Sequence, residues 1–561
     1  MKVSDYIVEY LISKRISDVF GYPGGMVTHF MDSFYRYSSK INAHITYHEQ
    51  GAAFAACGYA QASGKVGVAY ATSGPGATNL ITGICNAYFD SIPTLFITGQ
   101  VNTFESKDNC NVRQRGFQET DIVSMVESVT KYAAKINKPE KIKWFLDYAF
   151  HVATHERKGP VLLDIPMNVF RAEVNPNELE GYEYVKPNSV TEFPCLLNIL
   201  ETAQRPVFLI GNGVKISGQI SKLRALVDKI KIPVVTSMVS VDVLGNRGYG
   251  FIGAYGARAA NFIVAKADVV VCLGSRLDVR QVGAKRENFA PNAKIIRIDI
   301  DEGELGYKVH ENELQINADV KYVIRYLDEN FVPKDYSHWK DVCDVIKIEL
   351  EGVDDKIPNI LVKELGDKIP DDVLITTDVG QNQVWVAQSI EFKENQRVYC
   401  SGGHGAMGYS LPAAIGCALA SGKNVFSFNG DGGIQMNIQE LQTVVRENLP
   451  IKIIVFNNYA LGMIRHFQEM YFDSIFYQTM QDTGYTVPNF QKIAEAYGIP
   501  YKLIGDLADI PNDIFSEEGP QFIEVSIQEP TYVFPKLEFG KPNQDQEPLL
   551  DRNLYNRLME L

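Results

Sequence analysis

The eight cysteines (57, 85, 110, 195, 272, 343, 400 and 417) never fall into a CxxC pair. A zinc ribbon or a disulfide framework is therefore not expected, and residues such as Cys272 in VVVCLG read as small buried side chains of a reducing compartment. No apolar run is long enough to span a bilayer. The first twenty residues, MKVSDYIVEYLISKRISDVF, form an amphipathic helical pattern with charges throughout, not the uninterrupted apolar core of a secretion signal. A cytoplasmic protein without a membrane partner is expected. Basic runs are also missing: 54 Lys and Arg stand against 68 Asp and Glu, a net charge of −14. That balance argues against a nucleic-acid partner. No low-complexity tract is present. What remains is the composition of an ordinary soluble globular protein, 45% hydrophobic and 22% charged. With 561 residues, three or four domains are expected.

Short apolar, β-branched runs alternate with helical stretches. VGVAYAT, TLFITG and GPVLLDIP lie in a first block; PVFLIG, IPVVTS, DVVVCLG and KIIRIDID in a second; VLITTD, NVFSF, IKIIVF and QFIEVSI in a third. This pattern predicts an α/β protein of three doubly wound parallel-sheet domains. The expected spans are 1–171, 190–331 and 352–530, with a polar acidic connection at 173–192, a helical connection at 332–355 and an amphipathic tail at 531–561 that packs on a neighbouring surface. Two similar sheets in the outer blocks would leave a cleft between them.

The strand NVFSF runs into Gly430-Asp431-Gly432-Gly433, and the next strand, IKIIVF, runs into Asn457-Asn458. In a parallel sheet those two strand ends lie side by side, where open α/β sheets bind ligands. Asp431 supplies an anionic oxygen and Asn458 a neutral carbonyl, a set suited to Mg2+ completed by phosphate oxygens. The glycines allow backbone N–H groups close to a phosphate. A lone Gly-Asp-Gly is more often a turn; with Asn-Asn about thirty residues later it resembles the thiamine diphosphate motif. That cofactor needs a carboxyl against its aminopyrimidine ring. Glu49, in His48-Glu49-Gln50-Gly51, follows the short strand AHITY and opens an Ala/Gly-rich helix. Alone, a carboxylate there is an ordinary helix-dipole choice.

Together with GYPGG (21–25), YHEQGAAFAACGYA (47–60), ATSGPGATN (71–79), DSIPTLFITGQV (90–101), FQETDIV (117–123), RPVFLIGNG, RIDID (297–301), GGHGAMGYSLPAAIG (402–416), GDGGIQMNIQEL and NNYALGM, these motifs make nearly the whole chain resemble the acetohydroxyacid (acetolactate) synthase branch of thiamine diphosphate enzymes. The resemblance implies that Glu49 is the pyrimidine-activating acid, supplied across a dimer interface. It implies that Asp431, Asn458 and the Ala460 carbonyl hold Mg2+. Gly380, Gln381 and Asn382, with Gly432 and Gly433, would hold the diphosphate; Gly24, Pro75, Asn79 and the Gly405 carbonyl would contact the cofactor; Met407 would wedge beneath it. Phe117 and Gln118 would border the reacting center. No obvious second acid lies near these motifs, which suits carboligation. The middle block resembles the family's FAD domain, with Gly211, Gly213, Gly253, Arg276, Arg280 and Asp299 as binding residues; a vestigial domain without flavin is the alternative. Gly403 to Gly408 also fits G-x-G-x-x-G, a weak dinucleotide signal without a strong preceding strand.

Departures from that family cluster where an acceptor would enter. The loop FESKDNCNVRQRG (104–116) is long and charged; Met167 replaces the usual Lys, and Phe467, preceded by Ile464 and His466, replaces a Trp tied to 2-ketobutyrate. His404 reads as a proton shuttle, a hydrogen-bond donor to the acceptor, or a structural imidazole. Arg113 and Arg115 suit either a phosphate-bearing acceptor or a solvated loop. The flavin signature is altered to Arg276-Leu277-Asp278-Val279. Two activities stay open: condensation of two pyruvates to 2-acetolactate, and transfer of the pyruvate-derived acetaldehyde unit to a ketone such as a nucleotide-linked keto-sugar. A homodimer or homotetramer is implied by either.

Overall fold

The computed structural model describes residues 1–108, 110–184, 190–505 and 510–561. Parts of the 104–116 loop, of the 173–192 connection and of the third block therefore lie outside the described residues. Among the described residues, seventeen strands form three wholly parallel sheets. The first contains β1 (Asp18–Gly21), β2 (Asn42–Ile45), β3 (Gly67–Ala71), β4 (Thr94–Gln100), β5 (Tyr132–Lys135) and β6 (Pro160–Pro166), in the order β2-β1-β3-β4-β6-β5. The second contains β7 (Pro206–Ile210), β8 (Val234–Thr236), β9 (Val269–Leu273), β10 (Lys294–Asp299) and β11 (Glu313–Asn317), ordered β11-β10-β9-β7-β8. The third contains β12 (Leu374–Thr377), β13 (Arg397–Cys400), β14 (Val425–Gly430), β15 (Ile451–Asn457), β16 (Tyr501–Ile504) and β17 (Gln521–Ser526), ordered β13-β12-β14-β15-β17-β16.

Counted from their own first strands, the outer two sheets have one strand order. Alternate residues of each strand feed separate cores on the two faces, as Ala69 and Tyr70 of β3 do. In every sheet the strand order reverses once near the start of the unit, at β1/β3, β7/β9 and β12/β14, and such reversals open crevices at the strand ends.

The first twenty residues are not one helix. The helix stops at Ser13, Arg15 turns the chain with φ of 61°, and Asp18–Gly21 enters the sheet as β1. Gly403 is preceded only by the short edge strand β13. The expected helical connection is present as Ser337–Leu350, and it buries Trp339, Cys343 and Ile346 in the core of the central unit. The tail helix Arg552–Glu560 adds Leu558 to that same core. Arg258 fixes the approach to it, donating to the carbonyls of Gln546 and Pro548 and pairing with Asp354 at 2.7 Å.

The outer units share one core through helices Glu49–Ser63 and Ser410–Ser421. Their glycines permit backbone-to-backbone approach: a Cβ on Gly416 would lie 1.9 Å from the Ala55 carbonyl oxygen, and one on Gly58 would lie 2.1 Å from that of Ala413. Gly416→Val is therefore expected to destabilise the chain by about 3 kcal/mol or more, read as a lowered midpoint in urea unfolding; an unchanged midpoint would contradict this packing.

Candidate functional site

The β12/β14 reversal carries the Gly-Asp-Gly motif. Asp431 begins the helix Asp431–Met436 directly after β14 and is buried. Its Oδ1 accepts the Tyr485 hydroxyl at 3.0 Å, while Oδ2 is buried without a hydrogen-bond partner. Burial pushes its pKa up to about 6, against hydrogen bonds from Tyr485 and the backbone of Gly432, Tyr459 and Ala460. A buried carboxylate oxygen left unpaired is costly, and a cation relieves that cost.

The end of β15 supplies the neutral donors. Asn458 Nδ2 donates to Gln381 Oε1 (3.0 Å) and Thr531 Oγ1 (2.6 Å), which fixes the amide and leaves its carbonyl to the Ala460 N–H at 3.3 Å and one further partner. Tyr459, between them, bends the chain with φ of 55°.

Glycine clears the space. A Cβ on Gly462 would lie 1.9 Å from Gln381 Oε1, and one on Gly433 2.3 Å from Asp378 Oδ2. Gly380 precedes the helix Gln381–Ser389 with φ of 150°, in the region that favours glycine, and the Asn382 side-chain carbonyl behind it is buried and unpartnered. Two orphaned oxygens and a glycine-lined strand end fit a metal-bound diphosphate. Gly432 faces Met407, whose Cε would lie 3.5 Å from an added Cβ. Gly405, with φ of 70°, and Met407 lie in the loop before Gly408, whose N–H donates to both oxygens of the buried Asp378, at 2.9 and 3.0 Å.

A second group of candidate residues lies at the matching reversal in the first sheet. Glu49 opens the helix Glu49–Ser63; the His48 side chain caps it by accepting the Gln50 N–H at 3.1 Å. Glu49 is 8% exposed, and its Oε2 accepts Asn79 Nδ2 at 2.9 Å. Oε1 makes no hydrogen bond to a protein group among the described residues, and a Cβ on Gly76 would lie 3.0 Å from it. Pro75 starts the helix Pro75–Asn79, and Gly24 packs so closely that an added Cβ would meet Thr72 at 2.3 Å. Gly74 abuts Gln118, which has φ of 61°, with 2.9 Å between a Gly74 Cβ and the Gln118 carbonyl oxygen. Phe117 is 79% exposed.

The β7/β9 reversal opens a cavity of about 1700 Å3 lined by Gly213, Arg276, Arg280 and Asp299, together with Asp90 and Gly403 at its border with the outer units. Gly211 and Gly253 stand behind the wall: Gly211 donates to the Leu273 carbonyl (2.9 Å), and an added Cβ on Gly253 would meet the Arg280 carbonyl oxygen at 2.4 Å. In the altered Arg276-Leu277-Asp278-Val279 stretch, Leu277 is buried with φ of 54° and Asp278 caps the following turn by accepting the Arg280 N–H at 2.8 Å. Arg157 reaches the rim from the first unit and pairs with Asp301 (2.8 Å) and Glu304 (2.6 Å).

The acceptor-side residues are placed as follows. His466 is buried edge-on to Tyr532 and Phe534, and burial pushes its pKa down to about 4, so it is a neutral core imidazole. Phe467 and Ile464 lie on the exposed face of the helix Gly462–Tyr471. Met167 begins the short helix Met167–Phe170. His404 stacks on Phe89, with centroids 5.7 Å apart. Arg115 turns back into its own loop to donate to the Ser106 carbonyl at 3.1 Å.

The site also holds acids that sequence reasoning missed. Burial pushes Asp378 and Glu440 each up to about 7, against hydrogen bonds from the surrounding backbone. Asp378 accepts the Val379 and Gly408 N–H groups; Glu440 accepts those of Tyr47 and His48 and so braces the turn before Glu49. Asp378 ends the run VLITTD, and an acid at a strand end is a readable signal; Tyr485 and Glu440 have none.

Comparison with known proteins agrees with this geometry. The models of the N-terminal TPP binding domain, the central domain and the C-terminal TPP binding domain of thiamine pyrophosphate enzymes match residues 1–125, 195–327 and 378–525. The chain is 36% identical over 555 residues to the acetolactate synthase large subunit of Lactococcus lactis, spanning 96% of this chain and 94% of the relative. It is 35% identical over 562 residues to the acetolactate synthase isozyme 2 large subunit of Escherichia coli, spanning 97% and 99%. A probable acetolactate synthase large subunit of Methanocaldococcus jannaschii is 37% identical over 525 residues, spanning 89% and 87%. With all three domain models matched and these relatives aligned over most of their length, the chain belongs to the acetolactate synthase family of thiamine pyrophosphate enzymes.

Proposed function

We propose that this enzyme decarboxylates pyruvate and joins the remaining two-carbon unit to a second 2-keto acid. With pyruvate in both roles, two pyruvate anions and one proton give the 2-acetolactate anion and CO2. The observation that carries the reading is the unpaired, buried Asp431 Oδ2 beside Asn458, at a glycine-cleared strand end. Asp431, Asn458 and the Ala460 carbonyl would hold Mg2+, and Gly380, Gln381, Asn382, Gly432 and Gly433 the diphosphate. When bound, thiamine diphosphate supplies a nucleophilic carbon and an electron sink for loss of CO2.

Glu49 Oε1 would hydrogen-bond the aminopyrimidine, with Oε2 held by Asn79. Gly24, Pro75 and the Gly405 carbonyl would flank the ring, and Met407 would press against it from beneath. Phe117 and Gln118 would border the reacting carbonyl. His404, stacked on Phe89, would hold the loop of Gly405 and Met407 in place. Asp378 and Glu440 are engaged by backbone N–H groups and would brace the Gly408 and Tyr47 turns on either side of the site.

Glu49 would serve the cofactor of a second subunit. The third unit presents Ile464, Phe467, Tyr471 and Phe472 to solvent, and the first presents Phe104, Phe117 and Met125. Apolar patches of this kind mark interaction surfaces, and a homodimer or a dimer of dimers would cover them. FAD fits the central cavity: Arg276 and Arg280 suit its pyrophosphate and Asp299 a ribose hydroxyl, in a structural role because the reaction has no net redox change. A cytoplasmic location agrees with the scattered, unpaired cysteines.

Product analysis by mass spectrometry tests the reading. Purified protein with thiamine diphosphate, Mg2+, FAD and pyruvate is expected to form acetolactate rapidly, at a rate unaffected by a panel of ketones including keto-sugar nucleotides. Slow acetolactate with a fast adduct to one ketone would overturn the keto-acid acceptor.

A further inference from the structure

Glu119 directly follows Gln118, and its carboxylate is buried. It accepts four hydrogen bonds, two from each stem of the charged loop. Oε1 takes Ser106 Oγ at 2.8 Å and the Lys107 N–H at 2.7 Å; Oε2 takes the Arg115 N–H at 3.1 Å and the Gly116 N–H at 3.2 Å. Gln114 Nε2 donates to the Glu119 carbonyl at 3.0 Å, and Lys135 Nζ braces Ser106 Oγ at 3.1 Å. Burial raises the pKa of Glu119, but the hydrogen bonds from Lys107, Arg115, Ser106 and Gly116 outweigh it and hold the group below the ordinary carboxylate value. The clasp is thus charged, and charge-assisted bonds are the strong ones.

The residues beside it are also fixed. Gln118 sits at a φ of 61°, against Gly74. On the other side, Gln100 Nε2 donates to the Thr120 carbonyl at 2.8 Å and to the buried Asp164 at 2.9 Å. A left-handed backbone at a non-glycine residue persists only where the surroundings hold it. Glu119 ties that strained residue to both stems of the charged loop.

We propose that Glu119 is a positioning residue, closing the base of the 106–116 loop against Gln118 and thereby setting how well the acceptor is captured, without touching either reactant. The inference rests on the carboligase reading above. When the loop opens, the two-carbon unit meets water before an acceptor, and pyruvate plus a proton leaves as acetaldehyde and CO2 instead of passing into acetolactate.

The test uses the full-length holoenzyme, Glu119→Gln and Ser106→Ala, with two readouts. The first is the ratio of acetaldehyde to acetolactate, with CO2 release measured alongside. The second is the rate of tryptic cleavage after Lys107, Arg113 or Arg115, which follows opening of the loop. Glu119→Gln turns an amide N–H2 toward N–H donors, and both readouts are expected to rise about tenfold while CO2 release stays within about twofold. Ser106→Ala is expected to move both in the same direction by less, and it decides the matter if Glu119→Gln does not fold. Unchanged cleavage and product ratio in a folded Glu119→Gln would overturn the proposal, as would faster cleavage with an unchanged ratio. If the wild type makes no acetolactate and cleavage still accelerates, the clasp is supported and the carboligase reading falls.

Discussion

Glu49→Gln is expected to lower acetolactate formation by about a thousandfold, within the range for loss of a positioned acid–base group, while leaving the fold and Mg2+ binding in place. The substitution is structurally quiet because the carboxylate makes one protein hydrogen bond, from Asn79 Nδ2, which an amide oxygen also accepts. Helix capping belongs to His48 and the bracing of the preceding turn to Glu440, so neither is disturbed. What is lost is a group able to carry a proton at Oε1. Acetolactate production and circular dichroism, measured together, check this. Activity within tenfold of wild type would remove Glu49 from the reaction.

Asp431→Ala is expected to abolish cofactor binding with little penalty to the unliganded chain. In the absence of a metal the buried carboxylate is a burden: Oδ2 has no partner, and burial raises its pKa to about 6. Removing it relieves desolvation at the loss of the hydrogen bonds from Tyr485 and from the backbone of Gly432, Tyr459 and Ala460. A ligand present at a hundred times its dissociation constant stabilises a fold by about 2.7 kcal/mol; wild type should show that stabilisation with Mg2+ and thiamine diphosphate, lose it with a chelator, and the variant should not show it at all. Thermal unfolding with and without both ligands measures the difference. A variant still stabilised by the pair would place the metal elsewhere.

Asp431 can be singled out in the sequence because it stands at the end of an apolar strand where chemistry and turn geometry coincide, whereas Glu49 follows the short, mostly exposed β2 and is singled out only together with the motifs around it. Strand content follows the same logic: β4, β6, β9 and β15 are entirely buried and read as largely apolar runs, interrupted by single polar residues such as Asp164 in β6 and Lys452 in β15. The strands that escaped notice are short or partly exposed. β5 and β16 have polar positions among their four residues, and β1 hides behind a helix that ends at Ser13 without glycine or proline, the chain turning at Arg15. The identical strand order of the outer sheets is a property of pairing between distant segments and leaves no local mark. The same holds for Tyr485, which meets Asp431 across 54 residues, and for Glu440, which meets Tyr47 across 393. His466 shows the converse: its neighbourhood in the chain suggests the acceptor side, and its burial against Tyr532 and Phe534 gives it a packing role.

The central claim is that Glu49 and Asp431 are two halves of one carboligating site contributed by different subunits. Mixing Glu49→Gln and Asp431→Ala chains under conditions that exchange subunits tests it most directly. Each variant alone is inactive. A mixed dimer then holds one site with both residues intact and one with neither, and random pairing restores about a quarter of the wild-type acetolactate rate. Recovery near that level is the predicted result; a mixture as inactive as its components, with mixed dimers demonstrated by native mass spectrometry, would contradict the account.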